Sequence, residues 1–370
     1  MNLIKTTLIL VFFALFSCTE KEKAPKNEAP KNVILLIADG TGLTQVSTAF
    51  YFKETAPNYG RFKNIGLINT SSASHNITDS AAGATAFSSG EKTYNGAIGV
   101  SVDSTAIENI VEVISTKNIN TGLIATSSIT HATPAAFYAH ALSRSLAEDI
   151  ALDMVASEVD FFAAGGLKYF NKRKDQRNLL NELEAKSFVI DTLSLGDFKS
   201  IENAEKAGFL LAEDGMPKMT ENRGDFLENA TELGIEFLSK NNANFFMMVE
   251  GSQIDWGGHA NEGEYLVTEL LDFDDAVGKA LDFAEKDGNT LVVVTGDHET
   301  GGLSLSSKQK VNQHGKEYSD YNDVNLTFST NGHSTTLIPV FAFGPGSEEF
   351  QGVYQNNDIY KKIMKVTGWK

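Results

Sequence analysis

Hydrophobic positions along the chain follow two periods. Short apolar runs closed by polar residues occupy residues 33–38, 122–126, 245–249, 291–295 and 340–343, four to six residues each, which is the length of strands buried on both faces. Between them, residues 107–115, 146–155, 226–238 and 265–284 carry apolar side chains at helical spacing, so each predicts a helix with one buried face. Strands alternating with helices predict an α/β fold: a three-layer α/β/α sandwich around a central, mostly parallel sheet. No internal repeat is visible, and residues 308–325 read as a polar surface excursion before the last predicted strand.

The first 17 residues break this pattern. A lysine precedes an apolar stretch too short to span a bilayer, which reads as an export signal. The stretch closes with Leu15, Phe16, Ser17 and Cys18; this resembles a bacterial lipoprotein cleavage box, with Cys18 as the lipidated first residue, an ordinary secretory peptide being the alternative. Residues 18–31, rich in Lys, Glu, Pro and Ala, read as a solvated tether. Residues 32–370 are then expected to form one large domain, placed in the periplasm or at the outer membrane and cell surface.

Cys18 is the only cysteine, so an intramolecular disulfide and thiol chemistry in the folded domain are both excluded. Of the 370 residues, 42% are hydrophobic and 21% charged, ordinary globular usage that permits a sizeable core. Lysines and arginines number 31 against 48 acids, a net charge of −17, the opposite of what a nucleic-acid groove requires. An acidic protein that binds an anion needs concentrated local positive charge, and divalent cations supply it most densely.

Three of the five apolar runs lead into an acid: Asp39, Glu250 and Asp297. In an open parallel sheet, ligands bind beyond the carboxyl ends of the strands. A single acid there serves equally well as a cap or turn residue, but three together, with Asp255 and His259, His298, and His333 in a Gly-containing loop, offer mixed His and Asp ligation suited to zinc. All-oxygen ligation suits magnesium. Residues 76–90 begin with cap-type residues and continue with small ones, so Ser80 either caps a helix or stands at its N-terminus as an attacking oxygen where an anion is favoured. No neighbouring histidine in sequence serves Ser80 as a base. Arg144, whose planar fork matches two phosphate oxygens, follows the small-residue segment that contains His131 and Thr133.

Taken together, these blocks resemble the alkaline phosphatase family. Residues 77–82 with 92–96 are similar to the nucleophile region of that family. Residues 249–259 and 295–299 match its metal blocks in the same order, and the likeness spans essentially the whole mature domain. The resemblance implies that Ser80 is the nucleophile that becomes phosphorylated and that Arg144 clamps the phosphoryl oxygens. It implies one zinc on Asp255, His259 and His333, a second on Asp39, Asp297 and His298 with Ser80, and a third ion, usually magnesium, on Asp39, Thr133 and Glu250. Two zinc ions about 4 Å apart stabilise both the attacking and the leaving oxygen of an in-line displacement.

Two positions depart from the best-known bacterial pattern. His131 stands where that pattern has an aspartate, and Trp256 where it has a lysine; His131 is read as lying outside the ligand shell and Trp256 at the rim, although an imidazole reaching the third ion would favour zinc there. The expected substrates are small phosphate monoesters with little discrimination of the alcohol, without nucleic-acid binding, with membrane contact only through the lipid anchor, and with a homodimer as the assembly frequent in the family. Rival readings are a phosphodiesterase or sulfatase of the same superfamily, a phosphomutase, and a non-catalytic envelope lipoprotein that captures phosphate or metal. The only cysteine lies at the signal boundary, which disfavours a sulfatase, and a pure capture protein has no need of Ser80.

Overall fold

The computed structural model describes residues 29–369; the export signal, Cys18 and most of the tether lie outside them. Along the described chain run strands β1 (Asn32–Ala38), β2 (Asn64–Asn69), β3 (Asn120–Ser128), β4 (Phe161–Gly165), β5 (Phe188–Asp191), β6 (Lys206–Leu210), β7 (Phe245–Gly251), β8 (Thr290–Thr295), β9 (Glu299–Thr300), β10 (Ser304–Val311), β11 (Glu317–Thr327), β12 (His333–Ser334), β13 (Ile338–Phe343) and β14 (Gly352–Gln355). Ten of these form one sheet in the order β14-β2-β13-β8-β1-β7-β3-β4-β6-β5. β13 runs antiparallel to both its neighbours, and the other pairings of this sheet are parallel.

Side chains of a strand alternate between the two faces of its sheet. In β1, Val33, Leu35 and Ile37 enter one core, with Phe87, Ile150, Met154, Ile359 and Ile363 from helices Ser80–Ser89, Ala147–Ala156 and Asp358–Thr367. Ile34, Leu36 and Ala38 enter the other, with Val46, Leu227, Phe237, Leu266 and Phe273 from helices Leu43–Phe52, Phe226–Leu238 and Gly263–Asp287. Burial on both faces explains why the central strands read as unbroken apolar runs, and it makes the three-layer α/β/α sandwich.

The five predicted strands all form, each a little longer than its apolar run. The helix expected at 107–115 begins only at Ile110, because Asn109 and Glu112 exchange hydrogen bonds in a capping box, Asn109 N to Glu112 Oε2 at 2.8 Å and Glu112 N to Asn109 Oδ1 at 3.2 Å. Strands β2, β4, β5, β6 and β14 went unpredicted. They are short, and β2, β5 and β14 are partly exposed, so their apolar patterns are weak. The polar excursion is an ordered hairpin, β10 with β11, in which Lys310 pairs with Asp320 at 2.8 Å and Asp323 at 3.0 Å.

Parallel register sets the stage for chemistry. Ile37 of β1 lies opposite Glu250 of β7 and Thr295 of β8, so the carboxyl ends of the three central strands open side by side. Gly251, which closes β7, has no room for a side chain: a Cβ there would stand 2.6 Å from the ring of Phe273. Truncating that fully buried ring leaves a cavity directly under the strand ends. Phe273→Ala should therefore cost about 3–5 kcal/mol, measured as a lowered midpoint in urea unfolding; a loss under about 1 kcal/mol would contradict the packing described.

Candidate active site

Asp39, Glu250 and Asp297 leave the ends of β1, β7 and β8 fully buried. Gly40 makes the turn after Asp39 with φ +70°, and a Cβ there would come within 2.6 Å of Asp255 Cα, so only glycine lets the turn press against the helix Gln253–Ala260. Gly40 N donates to Asp297 Oδ1 at 3.1 Å. Glu250 Oε2 accepts from Ser252 Oγ at 2.5 Å and Ser127 Oγ at 3.2 Å. Asp39 Oδ2, Asp297 Oδ2, Glu250 Oε1, Thr133 Oγ1 and His131 Nδ1 are buried and have no hydrogen-bond partner. Buried polar atoms are normally satisfied, so five orphans in one cluster require an explanation.

His333 sits in the two-residue pair β9 and β12, opposite Thr300, while His298 directly precedes β9 and His259 comes from the helix Gln253–Ala260. His333 Nδ1 donates to Thr78 O at 2.8 Å and His259 Nδ1 to Asn331 O at 2.7 Å. A carbonyl only accepts, so each neutral ring presents Nε2 as a bare lone pair. Those two Nε2 atoms face one another at 3.1 Å, with Asp255 Oδ2 3.4 Å from His259 and Oδ1 3.8 Å from His333. His298 stacks on His333 with ring centroids 3.6 Å apart, and its Nε2 lies 3.3 Å from Asp297 Oδ2 and 3.5 Å from Asp39 Oδ1.

Ser80 begins the helix Ser80–Ser89, whose N-cap is Asp79. The residue is 2% exposed, and its hydroxyl lies 3.2 Å from His298 Nε2 and 3.4 Å from Asp39 Oδ1. The fold thus supplies the histidine neighbour that sequence adjacency did not. Asp79 performs two tasks: Oδ1 accepts from Ala82 N at 3.1 Å, and Oδ2 accepts from Gly96 N at 3.0 Å and Arg144 Nη1 at 3.2 Å. Arg144 Nη2 donates to His131 Nε2 at 3.2 Å, which leaves the ring proton of neutral His131 on Nδ1. Trp256 stands edge-on to His131 at 5.9 Å between centroids, wedged against Gly215, where a Cβ would meet it at 2.8 Å.

Electrostatics show what the cluster lacks. Burial raises Asp39 well above the usual carboxylate range, and repulsion from Asp297, Asp255 and Glu250 adds to it. Burial also raises Asp297, and it lifts Glu250 to about 7 against the lowering pull of Ser252. Burial depresses His298 to about 3, helped by His333, and His131 to about 3, helped by Arg144. Carboxylates held this close need either protons or cations. The donor set fits divalent metals: Asp255, His298 and His333 bring ligand atoms within 4.8 Å of one another, as do Asp39, Asp297 and His298, and as do Asp39, His131 and Glu250. His259 adjoins the first group, where the resemblance had assigned it, and Thr133 stands beside Glu250 in the third.

All the site residues predicted within the described chain converge here. Sequence reasoning missed the residues that hold them. Thr300 Oγ1 donates to Asp255 Oδ1 at 2.6 Å and lies 3.2 Å from His298 Nδ1. Glu299 is not among these metal groups: it accepts from Gln45 Nε2 at 2.7 Å and from Ser334, joining β9 to β12. The signal for both was their place directly after His298 in a buried turn.

A buried serine at a helix start, a guanidinium beside it and clustered carboxylates and imidazoles at the strand ends define a metal-binding hydrolase. Comparison with known proteins narrows the class. The family model for alkaline phosphatase matches residues 30–316. Alkaline phosphatase 3 of Bacillus subtilis is 34% identical over 95% of this chain and 91% of its own; alkaline phosphatase of Escherichia coli is 28% identical over 92% and 86%. The structure of alkaline phosphatase from the Antarctic bacterium TAB5 superposes with a TM-score of 0.90 at 61% identity, covering 93% of this chain and 99% of that one. The chain belongs to the alkaline phosphatase family, which is metal-dependent, and it is a phosphatase.

The raised Glu250 carboxyl has a measurable consequence. Its folded value of about 7 exceeds the ordinary 4.5, so in metal-free protein its contribution to stability is complete below pH 4.5 and is lost as pH rises through 7. Glu250→Gln removes that slope. Between these limits the chelated wild type should lose about 3 kcal/mol relative to E250Q, read from urea unfolding at a series of pH values; parallel pH profiles would show that Glu250 is not held in this state.

Proposed function

We propose that this phosphatase hydrolyses phosphate monoesters of broad specificity through a phosphoserine on Ser80. The observation that carries the reading is the position of Ser80 Oγ at a helix N-terminus, 3.2 Å from His298 Nε2, with Arg144 joined to the capping Asp79. The hydroxyl oxygen attacks phosphorus in line, the ester oxygen leaves and is protonated as the alcohol, and water releases inorganic phosphate from Ser80. The guanidinium grips two phosphoryl oxygens, the helix amides favour the anion, and Asp79 keeps both aligned. Nothing in this set grips the alcohol, which accounts for broad specificity.

Two zinc ions and one magnesium ion fit the donors. Asp255, His259 and His333 would hold one zinc and Asp39, Asp297 and His298 the other, as mixed nitrogen and oxygen sets; Asp39, Thr133 and Glu250 offer oxygen alone, as magnesium prefers. When bound, the ions would lower the pKa of the nucleophile and offset charge on the leaving oxygen. His131, whose Nε2 is bonded by Arg144 and whose Nδ1 is buried without a partner, stands beside Asp39 and Glu250. A variant of the TAB5 enzyme with a histidine replaced by aspartate carries magnesium in its M3 site. In this chain, His131 is the described histidine grouped with both Asp39 and Glu250, which supports it as the residue that tunes the third ion. Export and anchoring through Cys18 belong to the same reading. Among the described residues no helix is long and apolar enough to cross a membrane.

Hydrolysis of an aryl phosphate monoester beside the matching diester and sulfate, before and after chelation and repletion with zinc and magnesium, tests the assignment. Activity should fall on chelation, return with metal and favour the monoester; preference for diester or sulfate, or no turnover, would refute it. Ser80→Ala should reduce monoester kcat by ~10³-fold or more while metal content is retained, and an active S80A enzyme would exclude the phosphoserine. Arg144→Ala should lower kcat/KM by about 10–100-fold, the loss of charge-assisted hydrogen bonds, and weaken inhibition by inorganic phosphate in parallel; unchanged phosphate inhibition would remove Arg144 from the site.

A further inference from the structure

Arg144 stands in a stretch with no helix or strand of its own. Of residues 140–146, which lead into the helix Ala147–Ala156, only Ala141 is buried, so hydrogen bonds more than packing must fix them. These bonds lead to residues 94–99. Ile98 N donates to Ala141 O at 2.9 Å and Ala141 N to Ile98 O at 2.8 Å, Tyr94 OH donates to Leu142 O at 3.1 Å, and Arg144 N donates to Gly96 O at 2.7 Å. On its other side the same segment meets the helix that begins with Ser80: Gly99 N donates to Thr85 Oγ1 at 3.1 Å, Thr85 Oγ1 to Ala97 O at 3.2 Å, and Gly96 N to the capping Asp79. Residues 94–99 therefore set where Arg144 stands relative to Ser80.

His140 holds this segment from the Arg144 side. Its Nδ1 donates to Gly99 O at 2.6 Å, its Nε2 to Glu112 Oε1 at 2.9 Å, and its backbone N to Asp153 Oδ2 at 3.0 Å. A carbonyl and a carboxylate only accept, so the ring donates from both nitrogens, and the bond to Glu112 raises the imidazole above its ordinary value. The contact is close: Gly99 has φ +56°, and a Cβ there would stand 2.2 Å from Ala139 O and 2.9 Å from His140 Nδ1. Gly99 O also accepts from Ile107 N at 2.9 Å, so one carbonyl ties three segments together.

We infer that His140 is a positioning residue for phosphate binding: its Nδ1 bond to Gly99 fixes residues 94–99, and through Gly96 these fix the backbone of Arg144 against Asp79 and Ser80. The inference rests on the role proposed above for Arg144. It adds a residue that is in none of the metal groups and that acts only through the guanidinium. Its two ring bonds can be separated chemically. Asparagine places an amide donor where Nδ1 stands and so keeps the bond to Gly99, whereas glutamine places one near Nε2 and keeps only the bond to Glu112.

The experiment is a double-mutant cycle on the enzyme loaded with zinc and magnesium, with inorganic phosphate as competitive inhibitor of aryl phosphate hydrolysis and with metal content and urea midpoints measured on every variant. His140→Ala should weaken phosphate inhibition about 3–10-fold, the worth of one lost hydrogen bond, at full metal content. In the R144A background the same change should add less than about 2-fold, because the group it positions is gone. H140N should restore inhibition to near the wild-type level, and H140Q should behave as H140A. Unchanged inhibition in H140A, equal losses in both backgrounds as general destabilisation would give, failure of H140N to rescue, or rescue by H140Q would each overturn the inference. Should H140A not fold, H140N and H140Q decide by the same criterion. Wild-type inhibition in R144A alone would instead refute the reading of Arg144, and the inference with it.

Discussion

Several carboxylates buried within a few ångströms of each other are the constraint around which this molecule is arranged. Asp39, Glu250 and Asp297 sit at the ends of three adjacent strands, each fully shielded from water. Isolated charges in such a place are costly, and the orphaned oxygens among them record that the protein alone does not satisfy the cluster. The surrounding features support a compensating positive charge: the imidazoles of His259 and His333, whose Nδ1 atoms are tied to carbonyls so that Nε2 is turned inward, glycines where side chains would collide, and hydroxyls that hold carboxylate lone pairs. The overall charge of −17 is compatible with an anionic substrate because the positive charge is local.

Rigidity follows from the same arrangement. Unlike loops that carry catalytic groups on their own, the turns after β1, β7 and β8 are one or two residues from strands whose side chains fill both cores. Ligand positions are therefore set by the register of a parallel sheet. The small pair of β9 and β12 extends this control to His298 and His333, with Thr300 coupling Asp255 to His298 through a single hydroxyl.

Much of this was legible from the chain. Fully buried strands such as β1 and β8 announce themselves as continuous apolar runs, and an acid directly after each run is a conspicuous anomaly. The half-exposed strands were not legible, because β2, β5 and β14 bury too few side chains to leave a pattern. Ser80, Arg144 and the candidate ligands stand in recognisable blocks. The residues that orient them do not: Asp79 reads as an ordinary cap, and what sets Thr300 and Glu299 apart from surface polar residues includes partners more than 40 positions away, Asp255 and Gln45. Hydrogen bonds between distant segments leave no periodic trace.

The candidate ligands are also spread widely along the chain, from Asp39 to His333, and the strand that presents Asp39 is completed by partners as far away as Thr290. No amino-terminal fragment that stops before His333 contains the whole set. Only the group with His333 waits for the last part of the chain, and the long sequence separation slows its closure. A chain terminated before His333 is expected to lack a complete centre and so to be inert.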